Sequence, residues 1–130
     1  MKEISLRTGR RVQMLDITKE VERAAAESGV KDGLCTVFVP HTTAAVTINE
    51  NADPDVVRDI EAHMALLVPR DSGFCHGEGN SDGHIKSSIF GASETIIIEG
   101  GRLALGTWQG IYFCEFDGPR ERKVYIKAGG

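Results

Sequence analysis

The sequence predicts an α+β fold, with roughly seven strands forming a β-sandwich of antiparallel or mixed sheets and about three short helices interrupting them. Three observations carry that reading. Period-two alternation and β-branched runs recur along both halves of the chain, helix-start signals occur at three separated places, and no regular βαβ alternation is present. The 130 residues, 41% of them apolar, fit one domain spanning 1–130 with a core that needs no covalent staples.

Residues 2–8 alternate, with Ile4 and Leu6 on one side, and Val12 and Met14 continue that period after Gly9-Arg10, which predicts a hairpin. At Thr18 the period changes. Thr18 as N-cap, Glu20 and Glu22 near the positive end of the helix dipole, a run of alanines and Gly29 as the stop predict a helix over 18–28. The apolar run 34–39 and the Thr, Val and Ile of 42–49 read as strands joined at Pro40-His41. A second helix starts with Asp53 as cap and Pro54 at the first helical position. Its apolar residues Val56, Val57, Ile60, Met64 and Leu67 recur at helical spacing until Pro69. A glycine-rich loop over 70–80 follows, and Ser81 or Asp82 then caps a short helix to Phe90, closed by Gly91, with His84 in its first turn. Strands over 94–98, 102–105, 110–116 and 122–127, with turns at Gly100-Gly101 and 117–119, complete the chain. So many strand edges favour self-association.

Composition narrows the function. The 19 acidic and 15 basic side chains give a net charge of -4, which argues against a general nucleic-acid or anionic-membrane binder and for small-molecule or protein partners. Cys35, Cys75 and Cys114 are odd in number and lack CxxC spacing, so a reducing compartment is the simpler expectation. No apolar run approaches the roughly 20 residues that span a bilayer, and the polar start lacks a signal-peptide core. A cytoplasmic protein without a membrane role is expected.

The chemistry concentrates in two stretches. In 74–89, His76 and His84 flank a run of Gly, Glu, Asn, Ser and Asp; in 41–51, His41 begins a run that ends in Asn49, Glu50 and Asn51. Histidine is the commonest metal ligand and titrates near neutrality, so convergence of His41, His76 and His84 would make a metal site; the alternative is that each bonds loop or strand-end backbone. His63 lies mid-helix and is left outside the site. Asp53 and Asp55 are explained by the helix start, whereas Glu50, among amides, and Asp59, one turn beyond Asp55, are candidate acids or bases. Asp82 is a cap, a partner that orients an imidazole, or a ligand. Helix-start amides with a close glycine backbone suit a phosphate, and Arg102, Arg120 and Arg122 are candidate phosphate contacts. Trp108 reads as core sooner than as a stacking platform.

With these residues in view, the chain resembles the YjbQ family, described as secondary thiamine-phosphate synthases. The resemblance rests on His41-Thr42-Thr43-Ala44 through Asn49-Glu50-Asn51, Asp53-Pro54, Asp59, His76 and 80–91. It continues through Gly100-Gly101-Arg102-Leu103, Leu105-Gly106-Thr107-Trp108-Gln109-Gly110 and Glu115-Phe116-Asp117-Gly118-Pro119-Arg120. It covers essentially the whole domain. Two positions depart from the family pattern: Cys75 stands where a basic residue is common, and Gly83 where a small methyl side chain is common, which removes a phosphate contact and loosens a helix start.

What the resemblance implies is an α+β sandwich assembling as a homotrimer, with a polar site that takes a small phosphorylated molecule. It implies transferase chemistry that joins hydroxymethylpyrimidine diphosphate to thiazole phosphate and releases pyrophosphate. In that picture a divalent ion, Zn or Mg, is held by His41, His76 and His84. Glu50 or Asp59 serves as base, and Asn49, Asn51, Asn80, Arg102 and Arg120 contact substrate. Two other classes fit the same residues: a metal-dependent hydrolase of a phosphate or ester, and a non-enzymatic trimer that binds a metal or phosphometabolite. No nucleophile elbow, P-loop or dinucleotide fingerprint is present.

Overall fold

The computed structural model describes residues 1–71 and 73–130; Ser72, within the loop expected over 70–80, lies outside the described residues. Among the described residues eight strands form two antiparallel sheets. The larger contains β1 (Lys2–Arg7), β8 (Glu121–Gly129), β3 (Asp32–Phe38), β5 (Ser93–Glu99) and β6 (Arg102–Leu103), in that spatial order. The smaller is β2 (Gln13–Asp16), β7 (Gln109–Glu115) and β4 (Ala44–Glu50). Three helices accompany them: α1 (Thr18–Ser28), α2 (Pro54–Leu67) and α3 (Ser81–Phe90).

Alternation assigns the inward faces. Cys35 and Val37 of β3, Ile96 and Ile98 of β5, and Val124 and Ile126 of β8 meet Val46, Ile111 and Phe113 of the smaller sheet in one buried cluster, which Val21, Ala24 and Ala25 of α1 close. Burying a side chain such as Val21 contributes about 1.5–3 kcal/mol. The opposite face of the smaller sheet carries a second cluster, Met14, Ala45, Tyr112, Cys114 and Phe116, against which Val57 and Ile60 of α2 and Phe90 of α3 pack. Cys35 thus sits between the sheets and Cys114 beneath the helical layer, while Cys75 is exposed.

The expected N-terminal hairpin does not form. β1 pairs with β8, from Lys2 opposite Ile126 to Arg7 opposite Glu121, and β2 pairs with β7. Alternation reports that a strand has one buried face and is silent about its neighbour. Here the connecting residues cross between sheets, anchored by buried Thr8, whose hydroxyl donates to Glu115 Oε1 at 2.7 Å. β3 and β4 likewise lie in different sheets, so Pro40-His41 is a crossing and not a turn.

Helix ends show a similar split. Asp53 caps α2 by accepting the Asp55 N–H at 2.9 Å, with Pro54 in the first turn, as its sequence predicts. Thr18 is not the cap of α1: Ile17 holds that position without a side-chain capping bond, Asp16 before it accepts the Thr18 N–H at 2.9 Å, and the Thr18 hydroxyl accepts the Ile111 N–H at 2.8 Å. Gly29 ends α1 at φ 74°, a conformation that favours glycine. Neither Ser81 nor Asp82 caps α3: Asn80 occupies that position without a side-chain capping bond, its Nδ2 donating to Asp117 while its Oδ1 accepts from no helix N–H. No helix among the described residues is long and apolar enough to cross a membrane.

Candidate functional site

His41 follows Pro40 where the chain leaves one sheet for the other, and this crossing carries it to the edge of β8. There its Nε2 accepts the Lys123 N–H at 2.9 Å, which fixes the neutral tautomer with its proton on Nδ1. Burial, then the positive charges of Arg122 and Arg120, hold its pKa below the ordinary imidazole value, against the opposing pull of Glu115. His84, in the first turn of α3, lines the same open cavity of about 540 Å³, together with Thr42, Ala44, Ser87 and Ser88. The two serines spend their protons on helix carbonyls, Ser87 on Gly83 O at 2.8 Å and Ser88 on His84 O at 3.0 Å. The imidazoles of His41 and His84 are the titratable side chains among those lining the cavity. His76 meets His84 edge to face, with ring centroids 5.3 Å apart, and its Nε2 lies 3.7 Å from Glu78 Oε2.

The three histidines are neighbours without forming a ligand shell. Among the described residues no group of three or more His, Cys, Asp or Glu side chains is placed to hold a metal ion. His41 has already committed Nε2 to a backbone donor. A three-histidine cage of a single chain does not fit this geometry.

Beside the cavity lies a network of paired charges. Arg122 of β8 points between the sheets and grips Glu115 of β7, with Nε 2.9 Å from Oε1 and a further close contact from Nη2 to Oε2. Nη2 also donates to Thr43 Oγ1 at 2.8 Å. Burial alone would raise the pKa of Glu115, but hydrogen bonds from Arg122, Thr8 and the Asp117 N–H and the Arg122 charge outweigh it, and the net shift is downward. Arg11 bridges Asp82 at 2.9 Å and Asp117 at 2.8 Å; Lys86, 3% exposed, lies 3.4 Å from Asp82. Asp117 also accepts from Arg120 Nη2 and Asn80 Nδ2, both at 2.9 Å. Asn80 Oδ1 is buried without a partner. Arg11, Lys86, Arg120 and Arg122 face only Asp82, Glu115 and Asp117, so the network carries one net positive charge.

Several expected site residues lie elsewhere in the subunit. Asn49, Glu50 and Asn51 sit at the far end of β4 from His41, a separation of roughly 20 Å along an extended strand. Asn49 Oδ1 accepts the Glu50 N–H at 2.7 Å, Asn51 reaches Asp16 at 3.2 Å, and Glu50 O accepts from Tyr112 at 3.1 Å. Asp59 is exposed on α2. Arg102 pairs with Glu99 at the far end of β5 from Ala92, which lines the cavity. Arg120 and Asn80 do belong near the histidines, through Asp117. Trp108, expected in the core, is 63% exposed. The residues that sequence reasoning passed over are Arg11, Thr43, Lys86, Glu115 and Asp117. Their local signals are the four-residue spacing of Asp82 and Lys86 on a helix, the 41–51 run that holds Thr43 and the dense 115–120 motif; Arg11 has none.

Residues 2–130 match the family described as UPF0047 protein YjbQ-like. The chain belongs to this family. A UPF0047 protein of Methanocaldococcus jannaschii is 54% identical over 96% of this chain and 91% of its own length, and YugU of Bacillus subtilis is 51% identical over 100% and 99%. Among solved structures, an uncharacterised family member from Clostridium acetobutylicum superimposes with a TM-score of 0.98 at 56% identity, covering 99% of this chain and 100% of that one. A protein of unknown function from Sulfolobus solfataricus reaches a TM-score of 0.95 at 32% identity, over 98% and 94% of the two chains.

Proposed function

We propose that the cavity between His41 and His84 binds a small phosphorylated metabolite and carries a transfer reaction of the thiamine-phosphate synthase type, joining hydroxymethylpyrimidine diphosphate to thiazole phosphate with release of pyrophosphate. The observation that supports it is the placement of two imidazoles on one open cavity, with a partly buried network of one excess positive charge beside His41. The excess charge favours an anionic ligand, and His41, neutral with its proton on Nδ1, is a donor for a departing anion. His84, on the opposite wall, offers a second ring N–H to the phosphate oxygens. Mg²⁺ in this reading arrives on the diphosphate, which it binds through phosphate oxygens, and is part of the substrate. Glu50 and Asp59 take no role within one subunit. Exposed Leu34 and Ile97, paired across β3 and β5, and exposed Leu66, Leu67 and Trp108 leave apolar surface for the expected homotrimer.

The test is product formation from both substrates with Mg²⁺ by the purified protein and by His84→Ala and His41→Ala variants. Loss of most turnover in both variants is expected; equal turnover in wild type and variants removes the cavity from the mechanism. A second reading, a binding protein without turnover, is favoured by the serine hydroxyls, which are oriented onto helix carbonyls and offer no activated nucleophile. It predicts thermal stabilisation by the phosphorylated ligands without their consumption.

A further inference from the structure

We propose that Arg11, in the segment that crosses between the two sheets, is a positioning residue for His84, clamping the helix that carries it. The inference rests on the reading of the histidine cavity as the site. Arg11 Nη2 donates to Asp82 Oδ1 at 2.9 Å and Nη1 to Asp117 Oδ1 at 2.8 Å. One rigid guanidinium therefore ties α3, two residues before His84, to the turn that follows β7.

α3 depends on such ties because it has no apolar stripe. The residues it buries are Asp82, Gly83, Lys86 and Ser87, a face of charges, a glycine and a hydroxyl. Lys86, one turn beyond Asp82, shares the same carboxylate at 3.4 Å, and Asn80, at the helix start, holds Asp117 at 2.9 Å. A Cβ at Gly83 would meet Phe116 O at 3.0 Å and Thr43 side-chain carbon at 3.4 Å, so the helix lies about as near the strand as backbone contact permits. The carboxylate of Asp82 is the hub, and Arg11 is the one partner that links it to a second structural layer. His84 lines the cavity and meets His76 from a helix whose rotation and depth are set by this fork. Glu115 and Arg122 join the sheets and reach Asp117 through its N–H, whereas the Arg11 fork ends on Asp82 of α3 itself.

The experiment uses the full chain and compares wild type, Arg11→Gln and Arg11→Lys by nuclear magnetic resonance of the histidine rings. In Arg11→Gln the through-space contact between His76 and His84 disappears and the His84 ring signals move, while His63 on α2 keeps its signals and the circular dichroism is unchanged. Arg11→Lys, which reaches one carboxylate at a time, restores the contact in part. In the transfer assay Arg11→Gln lowers kcat about a hundredfold, as a misplacement near 1 Å does, with KM little changed. Wild-type His84 signals and ring contact in Arg11→Gln overturn the proposal, as does movement of His63 equal to that of His84. Should Arg11→Gln fail to fold, Asp82→Asn, which keeps the shape and weakens one arm, must still move His84, and unchanged signals there overturn it equally. The ring signals do not depend on turnover, so an inactive wild type refutes the proposed reaction and leaves the clamp to be judged by resonance alone.

Discussion

α2 and α3 are held in place by opposite means. α2 has every local mark of a helix, a capping aspartate, a first-turn proline and apolar residues at helical spacing, yet Met64 is the residue it buries, and Leu66 and Leu67 are 78% and 60% exposed. α3 has almost no amphipathic pattern and lacks a side-chain cap, yet it buries four residues and carries His84. The difference teaches that local signals decide whether a helix forms, whereas tertiary contacts decide where it sits. In α3 those contacts are charge pairs, which specify position more narrowly than apolar contact does.

The comparison is broken most severely at the α3 hub. Asp82→Ala leaves Lys86 and Arg11 facing the lost carboxylate and is expected to cost about 3 kcal/mol, measured as a lowered urea midpoint. Acid attacks the charged side of the molecule without a mutation. His41 has a depressed pKa in the folded state, so its contribution is complete above about pH 6.5 and is lost as pH falls through the folded value. Glu115, also depressed, contributes fully above its unfolded value near 4.3 and loses that contribution as pH falls further. Stability is therefore expected to decline in two stages on acidification: a flat urea midpoint from about pH 7 to about pH 4.5 would contradict the His41 shift, and one unchanged as pH falls below about 4 would contradict the Glu115 shift. On the α2 side, Met64→Ala is expected to cost about 2 kcal/mol, at the low end for a buried methionine because the helix can settle into the gap. Asp53→Ala removes the cap and costs about 1 kcal/mol. Leu66→Ser stays within about 0.5 kcal/mol in the separated subunit. A markedly larger loss, dependent on protein concentration, would show that self-association covers α2.

Strand faces and three helices were legible in the sequence because each follows from a short period that neighbouring residues reveal. Ile4 and Leu6, or Cys35 and Val37, declare an inward face wherever the strand ends up. Pairing was not legible. Gly9-Arg10 reads as a turn, whereas the pairing of β1 with β8 and β2 with β7 and the bond from Thr8 to Glu115, 107 positions away, show that the chain crosses between sheets. The same limit governs the site. His41 and His84 line one cavity because the chain crosses between sheets at Pro40-His41, whereas Glu50 and Arg102 lie away from it because an extended strand separates its ends. Arg11, Lys86 and Glu115 escaped notice for another reason: charged residues are ordinarily solvated, and a sequence does not mark the few that are buried in pairs.

The three cysteines give the layered architecture a chemical readout. Cys75 is open to reagent, Cys114 lies under the helical layer with burial pushing its thiol pKa far up, and Cys35 lies between the sheets. A thiol reagent applied to the folded protein should label one site per molecule at once. The order in which the other two follow dates the opening of each layer: Cys114 before Cys35 means that the helices lift while the sandwich stays closed, and simultaneous labelling means that both layers open as one unit.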